Sequence, residues 1–154
     1  MATKNLKRLY IAVRGLSVLV SFQIMAAFIT PALWVLYEES SIISKVATLA
    51  TSSTALAILW LVSALAVLPF VIMQAFLPVC RFRRAITKTA NFGMIGGGLA
   101  WVFMAFLSRN LDYNFATWNF LFSAATAFAM AAILANSLNN DQKEKEDQEP
   151  WSGI

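Results

Sequence analysis

Catalysis needs a nucleophile, an acid, a base or a metal held in one place, and few of the 154 residues can supply one. Histidine is absent, which removes the usual general base near neutral pH and the commonest metal ligand. Cysteine occurs once, as Cys80 beside Arg81, so no disulfide can form within the chain. The carboxylates all lie outside the long apolar stretches. The glycine run from Gly93 to Gly98 lacks the preceding strand and the Lys-Ser/Thr pair of a phosphate-binding loop. The expectation is a protein that is not an enzyme, takes no cofactor and holds no metal.

The elements that carry these residues are dictated by solvent. Hydrophobic residues make up 59% of the chain and charged residues 13%, about half the globular norm. More apolar surface is present than one small aqueous core could hide, and the charges are gathered into short blocks between uncharged stretches. Four stretches, 15–37, 55–78, 89–108 and 115–137, hold no charged residue. Each is long enough to cross ~30 Å of hydrocarbon at ~1.5 Å per residue. The fold class expected is all-α: a polytopic membrane protein with a four-transmembrane-helix bundle over 1–138, followed by a disordered charged cytoplasmic tail over 139–154. Lys4, Lys7, Arg8 and Arg14 precede the first stretch in the manner of a secretory signal. That stretch runs on to Tyr37 without a small-x-small cleavage site, so it reads as a retained span.

Of the 12 Lys and Arg residues, ten fall at the N-terminus, the middle link and the tail, and only Lys45 and Arg109 fall on the other side. The positive-inside rule then puts both termini in the cytoplasm, N-in and C-in, of what reads as a bacterial inner membrane. Lys7, Arg8, Arg14, Arg81, Arg83, Arg84 and Lys88 form a basic inner collar facing anionic lipid headgroups. The same placement argues against a nucleic-acid partner. Trp34, Tyr37, Trp60, Trp101, Tyr113 and Trp118 fall toward the outer half, as an interfacial aromatic belt or an aromatic-lined outer pocket. In the first outer link Ile42, Val46 and Leu49 recur at helical spacing, as a short interfacial helix or an early turn of span two.

Small residues suggest how the helices pack. Ala90, Gly93, Gly97 and Ala100 share one face of span three, and Ser123, Ala127 and Ala131 one ridge of span four. Such faces let helix backbones approach closely, so spans three and four are expected to mate through them, with Gly93 near Ala127 and Gly97 near Ser123. Polar side chains within the spans are few: Gln23, Gln74, Asn91 and Asn119. The first three fall in the cytoplasmic half and read as hydrogen-bonding glue between helices, or as a polar entry for a substrate or ion. Pro31 and Pro69 free the carbonyls of Ala27 and Leu65.

No Asp, Glu, Lys or Arg lies within a span, unlike the intramembrane acids of proton-coupled pumps. The layout is similar to that of many small bacterial inner-membrane proteins, and layout does not name a function. The expectation is an accessory, regulatory, immunity or exclusion-type subunit that works by protein-protein contact with a larger membrane protein. The alternative is a homo-oligomeric small channel, holin or transporter.

Overall fold

The apolar stretches become helices with a common buried rhythm. In the computed structural model the helices are α1 (Ala2–Tyr37), α2 (Ile42–Ala47), α3 (Ser53–Phe76), α4 (Arg83–Arg109) and α5 (Asn114–Gln148), and no strand occurs among the described residues. The structure describes residues 2–38, 41–50, 52–76 and 82–148, with side-chain surroundings for those from 15 to 140. Four helices are long and apolar enough to cross a membrane: Gly15–Tyr37 of α1, Ser53–Phe76, Arg83–Arg109 and Asn114–Asn140 of α5.

Buried positions advance by alternating steps of three and four. In α4 they run Thr87, Ala90, Met94, Gly97, Trp101, Met104, Ser108; in α3, Ala57, Trp60, Ala64, Val67, Val71. This 3.5-residue period keeps one seam facing its neighbours along the whole helix, the condition for left-handed bundle packing. In sequence order α1 packs on α3, α3 on α4 and α4 on α5, the last pair most extensively, whereas α1 and α5 scarcely touch.

The glycines of α4 make this order possible, and they differ from the expectation. A Cβ at Gly93 would stand 2.8 Å from the Ser63 carbonyl oxygen and 2.8 Å from Ala66 Cβ, so this glycine faces α3, not Ala127. At Gly97 the place of a Cβ is taken by the ring of Phe28 from α1. Gly98, which with Gly96 thickens the small face of span three, receives the Phe128 ring of α5. A phenyl ring seated in a glycine notch gains more dispersion contact than alanine laid against glycine, and Phe28 is almost wholly enclosed at 1% exposure. The ridge on α5 also shifts. The buried line is Phe120, Ala124, Ala127, Ala131 and Leu134, with Ser123 only half-buried at its edge. Repeated four-residue steps drift ~40° around a 3.6-residue helix, so a straight 123–127–131 row leaves the contact face.

Local signals explain the ends. Ser41 caps α2, its Oγ accepting from Ser44 N at 3.0 Å, and Ser52 Oγ accepts from Ala55 N at 3.2 Å at the start of α3. α2 is thus a separate helix, but it turns Ser44, Val46 and Ala47 inward and leaves Ile42 and Leu49 exposed. Between α4 and α5 the chain reverses within a few residues, with Asp112 at φ 58°, a conformation that aspartate tolerates better than most side chains. Residues 139–148, expected as disordered, continue α5. Glutamine, glutamate and lysine are good helix formers, and the first proline comes only at Pro150. The remainder of the tail, 149–154, lies outside the described residues.

These contacts rank the glycines. Gly93→Ala and Gly97→Ala are each expected to lower stability by about 1–3 kcal/mol through overpacking. Gly15 has nothing within 4 Å of a Cβ, so Gly15→Ala should leave stability unchanged or raise it by up to ~1 kcal/mol. Thermal unfolding in detergent micelles measures all three, and equal effects at 15 and 97 would contradict the packing.

Candidate functional site

Aromatic packing forms the floor of the candidate site. Trp60 and Trp101 hold core positions of the 3.5-residue rhythm, with ring centroids 4.9 Å apart, and Trp101 stacks on Phe120 at 5.3 Å. Trp60 is fully buried and Trp101 5% exposed, so neither joins the interfacial belt expected of them. Trp34, Tyr37, Tyr113 and Trp118 do remain exposed.

Because α1 packs on α3 and α5 on α4, and the two scarcely meet each other, a cleft of about 310 Å³ opens between them. Trp101 and Phe28 line it, Val20, Gln23 and Ala27 come from α1, and Phe122, Ser123 and Thr126 come from α5. No charged side chain contributes to it. The helices set its polarity. Gln23 and Ala27 are one turn apart on α1, and Ser123 and Thr126 share a face of α5 with Asn119 one turn earlier. The Ser123 hydroxyl donates to Asn119 O at 3.0 Å and Thr126 to Phe122 O at 2.9 Å. Each hydroxyl has one proton, so these side chains keep only acceptor lone pairs, while the Gln23 amide retains donors and an acceptor. The chemistry available is hydrogen bonding to an uncharged group in apolar surroundings.

The expected site residues are distributed as follows. Ala90, Gly93, Gly97, Ala100, Ala127 and Ala131 are all buried within the bundle. Gln23 is exposed and joins Ser123 at the cleft; Asn119 is exposed; Gln74 is half-buried. Asn91 is half-buried, and its buried Oδ1 has no hydrogen-bond partner. A hydroxyl pair near the α4–α5 hairpin joins two helices, Ser108 of α4 with Thr117 of α5 at 2.7 Å. Arg83 and Lys88 are exposed and Arg84 half-buried. Arg81 lies outside the described residues, as do the side chains of Lys7, Arg8 and Arg14, whose backbone is helical.

Sequence reasoning passed over Thr126, whose placement three residues after Ser123 on an otherwise apolar helix was the available signal. It also missed Phe28, which only the glycine notch across the bundle distinguishes from any other span phenylalanine. The chain matches no protein-family model, no curated protein and no solved structure.

The two classes of buried hydroxyl should respond differently. Ser108→Ala removes a cross-helix bond and is expected to cost about 0.6 kcal/mol, the average for such bonds in membranes. Ser21 Oγ is buried without a partner, so Ser21→Ala should be neutral or stabilising, because it removes an unsatisfied group. Unfolding in mixed micelles of lipid and detergent compares the two.

Proposed function

We propose that the chain is a bacterial inner-membrane protein with both termini in the cytoplasm. On this reading it acts as an accessory, regulatory, immunity or exclusion-type subunit by binding a larger membrane protein in the plane of the bilayer, without catalysis. The observation that carries this reading is the uneven burial of the candidate spans. The windows of α3 and α4 are 50% and 56% buried, against 33% for α1 and 28% for α5. The α4 glycines are already filled from within the bundle, so partners are left the broad outer faces of α1 and α5.

The helix ends add to it. α1 begins at Ala2, well before Gly15, and α5 runs to Gln148, beyond Asn140. Antiparallel succession of the four spans brings both extensions to the same side. Residues 2–14 hold four basic and no acidic residues, and 141–148 hold four acidic and two basic residues. Two helical arms of opposite net charge offer a partner's cytoplasmic segments electrostatic register, and the basic one also suits anionic headgroups.

The channel, holin or transporter reading keeps one observation in its favour: Gln23, Ser123 and Thr126 share a cleft. Against it, the interior is filled by Trp60, Phe28, Met94, Met104 and Val67, all nearly or fully buried, so a path would have to run between copies.

Two measurements test this. Reporter fusions after residues 14, 88 and 148 should report cytoplasm, and those after 45 and 110 the outer side. Gentle extraction from native membranes should yield a stoichiometric larger partner; a pure homo-oligomer that conducts solute in liposomes would overturn the interaction reading.

A further inference from the structure

The α1–α5 cleft sets polar groups where hydrocarbon would otherwise surround them. Gln23 lies eight residues into the Gly15–Tyr37 stretch, roughly 12 Å at ~1.5 Å per residue, close to the middle of a ~30 Å hydrocarbon layer. Its side chain is exposed, and acyl chains offer an exposed amide nothing in return. Across the cleft, Ser123 and Thr126 have committed their protons to Asn119 O and Phe122 O. One wall therefore presents N–H donors and the other presents oxygen acceptors. A hydroxyl group between them satisfies both, accepting from Gln23 and donating to Ser123 or Thr126, whereas a carbonyl or an ether satisfies only the first.

The rest of the lining chooses what carries the hydroxyl. Val20, Ile24, Phe28, Trp101 and Phe122 are apolar, and the absence of charge around the cleft disfavours an ion. A volume of about 310 Å³ falls at the lower end of small-molecule sites and is too small to admit a helix ~10 Å across. We propose that the cleft binds an uncharged amphiphile, a single hydroxyl on an apolar chain or ring, which enters from the bilayer between α1 and α5. This rests on the membrane insertion proposed above but requires no protein partner.

The test uses the full chain in lipid nanodiscs and a long-chain alcohol carrying a photoreactive diazirine. Labelling should saturate and map to 20–28 and 122–126. The unlabelled alcohol should compete about tenfold better than its methyl ether, the ratio expected when a hydrogen bond is lost. Gln23→Leu and the near-isosteric Thr126→Val should each reduce labelling about tenfold with helical content unchanged. Non-saturable labelling spread along the lipid faces, or equal competition by alcohol and ether, would overturn the assignment. So would disulfide dimers of Ser123→Cys in a Cys80→Ser background, since a second copy would then fill the cleft. Any of these results leaves the partner reading standing, whereas failure of the chain to enter nanodiscs would sink both.

Discussion

The arrangement depends on how closely α3 can approach α4. At Gly93 a backbone carbonyl, Ser63 O, stands where a side chain would begin. A carbonyl in a helix cannot turn aside as a side-chain tip can, so this contact fixes the separation of the two helices. Without a hydrophobic drive between helices in lipid, such close packing is the principal source of specific association. Once α4 is held there, Gly97 and Gly98 receive Phe28 and Phe128 from α1 and α5. α4 thereby sits between α3 and α5 and also seats one ring of α1.

Two consequences follow for function. The interior is sealed by large side chains from Phe28 to Met104, so polar chemistry is displaced to the outer helices. The gap between α1 and α5 is also a product of packing: α1 rests on α3 and α5 on α4, and Trp101, held by Trp60 and Phe120, closes the floor between them. The cleft is therefore a standing feature of the bundle, requiring no hinge or lid. Its polar groups sit on two helices that have little direct contact, so an occupant there would act as the missing link between α1 and α5.

Much of the fold was legible in the sequence because length and apolarity are one-dimensional signals. Uncharged stretches of sufficient length mark the spans, and the 3–4–3 spacing of Ala90, Gly93, Gly97 and Ala100 marks a buried face. What the sequence leaves open is which neighbour fills that face, since Ala127 and Phe28 are equally apolar and the choice is made by shape in three dimensions. Trp60 and Trp101 mislead for a related reason: residue type suggests an interface, but their register places them in the core. The candidate site was legible only in pieces. Gln23 and Ser123 stand out individually, but their meeting depends on a gap left by other contacts. The helical tail shows the opposite failure, where charge suggested disorder and helix propensity won.

The direction faced by Gly93 and its neighbours is the most direct test of this account. Oxidative cross-linking of cysteine pairs in native membranes, with Cys80→Ser as background, reads it. The account predicts that cysteines at 63 and 96, where the Ser63 hydroxyl lies 3.2 Å from the place of a Cβ on Gly96, join α3 to α4 and that cysteines at 96 and 127 do not join. A robust 96–127 cross-link without the 63–96 one would contradict it.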